Sequence, residues 1–161
     1  MHRSLGNDRP GPLVTVVVPV HDEEQVLPEL HRQLRSSLGT LPAPYEVVYV
    51  DDGSDDRSAE IIEGWARGEE GVVLVQLSRN FGMEVAMSAG LDHARGSYVV
   101  LMHADLQDPP ELIPEMLRMA EEQEADVVYA RRIGRDESRV KRMLATGFYA
   151  MMRNLARVPY Q

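Results

Sequence analysis

A chain of 161 residues with 43% hydrophobic content suits one domain with a sizeable core. It has no cysteine, which excludes a disulfide framework, thiolate zinc and dithiol redox chemistry, and fits a reducing compartment. The net charge of -9 argues against nucleic acid as the main partner. Residues 131–161, however, carry eight of the 17 Lys/Arg and only two of the 26 acids. An acidic body is thus followed by a basic end, suited to an anionic ligand or a membrane surface, or simply to a solvated helix.

Residues 1–12 are polar, contain Gly and Pro and have no apolar core segment, so they read as a disordered tail and not as a signal peptide. No stretch approaches the roughly 20 apolar residues of a spanning helix. Valine-rich runs then recur at Leu13 to Val18, Val47 to Val50, Val72 to Leu77, Tyr98 to Met102 and Val127 to Ala130. Each lies between segments of helical period, the βα alternation of a mostly parallel sheet covered by helices on both faces.

The first helix is expected over Glu23 to Leu38, with Val26, Leu27, Leu30, Leu34 and Leu38 on one face and Pro28 in its first turns. Others are expected at Ser58 to Arg67, at Val85 to Arg95, and from Pro109-Pro110 to about Gln123. Asp108 is a natural cap for the last, with Glu111 at capping-box spacing, and Pro114 predicts an irregular start.

Chemistry collects at the strand exits. Pro19-Val20-His21-Asp22-Glu23-Glu24 follows the first strand, where a dinucleotide fold places G-x-G-x-x-G, so a nicotinamide enzyme is disfavoured. Glutamates there repel phosphate; the loop can receive a base or ribose, or Asp22 can simply cap the next helix. Asp51-Asp52-Gly53-Ser54 brings two carboxylates able to accept from a nucleobase N–H or ribose hydroxyls. As a polar turn, the segment needs only Asp55 or Asp56 for its cap. Ser78-Arg79-Asn80-Phe81-Gly82 gives either a close backbone approach to a ligand or an ordinary turn.

His103-Ala104-Asp105-Leu106-Gln107 leaves the fourth strand. Asp105 and Gln107 supply oxygens suited to Mg²⁺ or Mn²⁺ whose other ligands are diphosphate and water. His103 either adds a nitrogen ligand or hydrogen-bonds locally.

Together VVVPVHDEE, VVYVDDGSDD, LSRNFGMEVAMSAGLDHARG, HADLQDPPE and YARRIGRDES resemble glycosyltransferase family 2, in particular its polyprenyl-phosphate branch, in order and spacing from about Leu13 to Tyr149. The resemblance implies a GT-A nucleotide-sugar fold over 13–139 and inverting transfer of a hexose from a UDP- or GDP-sugar to a polyprenyl phosphate. It places Pro19, Val20, His21, Glu23, Asp51, Asp52 and Gly82 at the nucleotide, and Asp105 and Gln107 at the metal and diphosphate, with His103 assisting. Arg131 falls at the acceptor phosphate, with Arg135, Ser138 and Arg139 in the same loop. The family usually has aspartate at the position of His103, so metal binding is weakened, shifted toward Mn²⁺, or lost.

Residues 140–161 read as a basic and apolar helix, either interfacial or core-packing, and the family's further C-terminal segments lie beyond Gln161. The expected location is cytoplasmic, at the inner face of the membrane. The rival readings are a GT-A transferase acting on another acceptor and a truncated, non-catalytic nucleotide-binding module.

Overall fold

The computed structural model describes residues 14–130. The expected tail over 1–12, Arg131, Arg135, Ser138, Arg139 and the helix expected over 140–161 lie outside the described residues. The chain divides into two compact units, Met1–Val128 and Tyr129–Gln161; of the second, only Tyr129 and Ala130 are described.

Four valine-rich runs form strands: β1 Val14–Val20, β2 Tyr45–Asp51, β3 Val72–Gln76 and β4 Tyr98–Leu101. All pair in parallel, in the order β3-β2-β1-β4. The central pair, β1 and β2, is buried on both faces, which is why their sequences run apolar without alternation. Helices α1 Leu27–Leu38, α2 Ser58–Gly68, α3 Met83–His93 and α4 Ile113–Glu122 fill the crossovers and the final segment.

On one face Val14, Val16, Val18, Val20, Val47 and Tyr49 pack with the Leu27, Leu30, Leu34 and Leu38 stripe of α1, Ile62 of α2, and Ile113 and Leu117 of α4. The other face, with Val17, Val48 and Val50, packs on Ala86 of α3. There α3 can lie close because Gly90 has no side chain: a Cβ at that position would sit 2.2 Å from Val17 Cγ1. Among the described residues no helix is long and apolar enough to cross a membrane.

Three local expectations need correction. The run Val127 to Ala130 is not a strand; Val127 and Tyr129 are 78% and 80% exposed. An apolar run becomes a strand only with a pairing edge, and among the described residues this run pairs with none. The first helix starts at Leu27, not Glu23, because Asp22 at φ 55° turns the chain and Pro28 then sits in the opening turn. The last helix is entered through a 3-10 turn, Pro110–Leu112, whose cap position is Pro109 and not Asp108. That is the irregular start predicted from Pro114, which sits in the first turn of α4.

Candidate active site

The chain winds from β1 outward through β2 to β3 and then returns to place β4 on the other side of β1. In open parallel sheets, ligands bind beyond the carboxyl ends of the strands at such a reversal. A cleft of about 370 Å³ lies at that place, and its lining gathers Pro19, Val20, His21, Glu23, Asp52, Gly82, His103 and Asp105 from four separate strand exits. Asp51 and Gln107 are not among its lining residues. Asn80, Met83 and Ala104 are, and the sequence had not singled them out as site side chains. Asn80 belonged to a turn read only for its backbone, and nothing local announced its side-chain partners.

The first two loops are stitched together. Asp22 Oδ1 accepts the N–H groups of Asp55 (2.8 Å) and Asp56 (3.3 Å), while the Asp22 N–H donates to Ser54 Oγ at 3.0 Å. The Glu23 N–H donates to Ser58 Oγ and that of Glu24 to Asp56 Oδ2, both at 2.9 Å. Asp22 therefore does not cap α1. The Glu23 carbonyl does that work, accepting from Val26 and Leu27. Asp56 in turn accepts the Ser58 N–H at the start of α2, at 2.9 Å. Burial pushes the Asp56 carboxyl upward, but hydrogen bonds from Ser58 and from the Glu24 N–H outweigh it and hold its pKa below the usual value.

The third loop is fastened to the second. Asp52 is 3% exposed and accepts the N–H groups of Phe81 and Gly82, each at 2.8 Å, one on each carboxylate oxygen. Gly53 makes the approach possible: its φ is 67°, and a Cβ there would fall 2.5 Å from the Arg79 carbonyl carbon. Asp51, equally buried, accepts the Ser54 N–H at 3.2 Å and shapes the turn from beneath.

On the fourth loop, Asp105 is exposed and its Oδ1 accepts the Gln107 N–H at 3.0 Å, around Leu106 at φ 57°. A leucine held in the left-handed region costs about 1 kcal/mol, so this turn is maintained by its surroundings. Burial raises the pKa of Glu23, and the charges of Asp105, Asp56 and Asp22 push it the same way. Glu23 and Asp105 thus concentrate negative charge in the cleft.

Among the described residues no group of three or more His, Asp or Glu side chains is set to cage a metal ion. The donor set does fit a divalent cation of a less enclosed kind. Asp105 and His103 line the same cleft near Glu23, and they would hold a Mg²⁺ or Mn²⁺ ion that needs few protein ligands. A wider hollow of about 640 Å³ lies beside the cleft, lined by Asp22, Glu23, Glu24, Asp55 and Asp56. Most of these carboxylates already hold backbone N–H groups, and the hollow is poorly suited to an anion.

A parallel α/β sheet with acidic loops meeting at its reversal point defines a nucleotide-type binding domain of GT-A architecture. The chain belongs to glycosyl transferase family 2, whose model matches residues 15–160. It is 41% identical over 139 residues to the uncharacterized glycosyltransferase YkcC of Bacillus subtilis, covering 86% of this chain and 43% of that protein. It is 45% identical over 131 residues to undecaprenyl-phosphate 4-deoxy-4-formamido-L-arabinose transferase of Pseudomonas aeruginosa, covering 81% and 38%. The chain spans less than half the length of these relatives.

Among solved structures, Staphylococcus aureus TarS 1-349 in complex with UDP-GlcNAc matches with a TM-score of 0.60 and 26% identity, over 76% of this chain and 37% of that one. The mannosyltransferase PcManGT of Pyrobaculum calidifontis, in complex with GDP-Man and Mn²⁺, matches with a TM-score of 0.50 and 29% identity, over 65% and 30%.

Proposed function

We propose that this chain is the donor-binding part of a hexosyltransferase that moves a hexose from a nucleotide diphosphate sugar, of the UDP-glucose or GDP-mannose type, to a polyprenyl phosphate with inversion. The observation that carries the reading is the cleft at the β1/β4 reversal, where Asp52 is held by two backbone N–H groups. A carboxylate has about four lone-pair positions, so two remain to accept from a nucleobase N–H or ribose hydroxyl without reorientation. Pro19, Val20, His21, Glu23 and Gly82 complete the nucleoside wall, and Asp51 supports it through the turn that Ser54 closes.

Asp105, with His103 and Gln107, is assigned to the diphosphate and its Mg²⁺ or Mn²⁺. When bound, the cation supplies charge neutralisation for the departing diphosphate. An acceptor phosphate is ionised at neutral pH and needs no general base. One of its oxygens attacks the anomeric carbon as the bond to the nucleoside diphosphate breaks, and what it requires is cationic side chains to bring one anion to another. That role is assigned from the sequence to Arg131, with Arg135 and Arg139, and Ser138 in the same loop offers a hydroxyl donor. A lipid acceptor puts the protein next to a membrane, and the undecaprenyl-phosphate transferase among the relatives supports that acceptor class.

Titration calorimetry of UDP-glucose and GDP-mannose in the presence of Mn²⁺ tests the donor assignment. Saturable binding of one is expected, and no heat with either, or with other nucleotide sugars, overturns it. Radiolabelled sugar should move into extracted lipid. Label confined to an aqueous product would transfer the assignment to another acceptor.

A further inference from the structure

Asn80 has no assigned role, and it joins the third loop to the first. Its Oδ1 accepts the Gly82 N–H at 3.0 Å, and its Nδ2 lies 2.9 Å from His21 Nε2. Turning the amide round would set its NH₂ against the Gly82 N–H, donor against donor, and lose that bond, which favours the orientation seen. An amide nitrogen only donates, so His21 Nε2 accepts with its lone pair, and the neutral ring carries its proton on Nδ1. Asp22 Oδ2 is 3.7 Å from the same Nε2, beyond hydrogen-bond range.

The consequence concerns polarity. The carboxylates of Glu23, Asp52 and Asp105 that line the cleft can only accept hydrogen bonds when ionised. Among the described residues no hydrogen bond engages His21 Nδ1. A nucleoside presents carbonyl and hydroxyl oxygens as well as N–H groups, and these oxygens need a donor.

Building on the donor reading above, we propose that Asn80 is a positioning residue. It fixes His21 as the Nδ1–H tautomer and so makes the ring a hydrogen-bond donor toward an acceptor oxygen of the bound nucleoside. Asn80 is exposed, and Gly82 keeps its bond to Asp52 without it, so Asn80→Ala leaves the fold in place.

Long-range ¹H–¹⁵N correlation of the imidazole rings in the full chain, at a pH where His21 is neutral, should show His21 with a bare Nε2. In Asn80→Ala the proton should redistribute toward Nε2, and in Asn80→Asp, where a carboxylate faces the ring, Nε2 should be protonated. Binding of UDP and GDP with Mn²⁺ should weaken about five- to tenfold in Asn80→Ala, the worth of one hydrogen bond. The same change should add nothing to His21→Ala, since one residue acts through the other. A wild-type His21 protonated at Nε2 overturns the proposal, as do fully additive losses in the double variant. If neither nucleotide binds the wild-type chain, the donor assignment falls, and the tautomer measurement alone still decides the role of Asn80.

Discussion

Asp52 shows how one side chain serves fold and site together. Replacing it with alanine removes the acceptor of the part-buried Phe81 N–H, while Gly82 retains Asn80 Oδ1. A part-buried donor that loses its acceptor costs about 1 kcal/mol, the low end of the range for buried groups. Asp52→Ala should therefore lower the melting temperature and abolish measurable nucleotide binding, whereas Asp52→Asn, which keeps one acceptor, should melt nearer the wild type and bind weakly. Calorimetry and thermal melting of the two variants read both effects. Equal binding in Asp52→Asn and wild type would remove the carboxylate from the nucleoside contact. The carboxylate pair was legible in the sequence as site chemistry; its attachment to Phe81 and Gly82 was not, because those partners are about thirty residues away.

His31 is a second buried polar residue, remote from the proposed chemistry. Its Nδ1 pairs with Tyr49 Oη at 2.9 Å and its Nε2 with Glu69 at 3.1 Å, where Arg35 also binds, and its ring stacks at 4.1 Å on Trp65. Burial lowers its pKa, and this outweighs the opposing pull of Glu69. A base whose folded pKa lies below its unfolded value near 6.5 takes up its proton more readily when unfolded. Its contribution to stability is thus complete above about pH 6.5 and is lost as the pH falls below that value. Urea midpoints should drop between pH 7.5 and 5.5, and His31→Gln should flatten that part of the profile. Trp65, the single tryptophan, reports on the same stack by fluorescence.

At the scale of elements, α3 is held at both ends by β2 and the loop that follows it, by Asp52 at its entry and by Glu46 at its exit. Glu46 is 1% exposed; its Oε1 accepts from Thr15 Oγ1 at 2.6 Å and from the Arg95 N–H at 2.7 Å, and its Oε2 from the Arg95 guanidinium at 2.6 and 2.9 Å. Burial pushes this carboxyl upward, but the bonds from Thr15 and Arg95 prevail and its pKa is lowered. Glu46→Ala should cost about 2 kcal/mol, because it removes the buried acceptor of the Thr15 hydroxyl and of the Arg95 N–H. Arg95→Ala should cost less, since that side chain is 67% exposed and Glu46 keeps two donors without it. Denaturant titration that ranks them in the opposite order would show that the surface charge, not the buried carboxylate, carries the clamp.

Which elements form was readable from the valine runs and the leucine stripe of α1, since burial on both faces leaves an unbroken apolar pattern. Val127 to Ala130 shows the limit of that signal. The same composition occurs there without a pairing edge among the described residues, and an edge is a property of the tertiary arrangement. The start of α1 failed for a related reason, since Asp22 found partners in Asp55 and Asp56 that lie on another loop.

For the molecule as a whole, charge and donor chemistry are opposed. The chain carries -9, and Glu23, Asp52 and Asp105 concentrate part of that charge in the cleft, yet the proposed ligand is a polyanion. Without a divalent cation, a nucleoside diphosphate approaches against the field of the protein, and this repulsion is screened over a Debye length of about 10 Å at 0.1 M salt. Association of UDP or GDP, followed by stopped-flow in a chelating buffer, should therefore accelerate as salt is raised from low concentration, the reverse of ordinary electrostatic steering. With Mn²⁺ present, binding should be tighter and this acceleration should shrink, because the ion offsets the repulsion on both sides. An on-rate that falls with salt in the chelating buffer would mean that the basic residues of 131–161, and not the acidic body, set the field the donor meets.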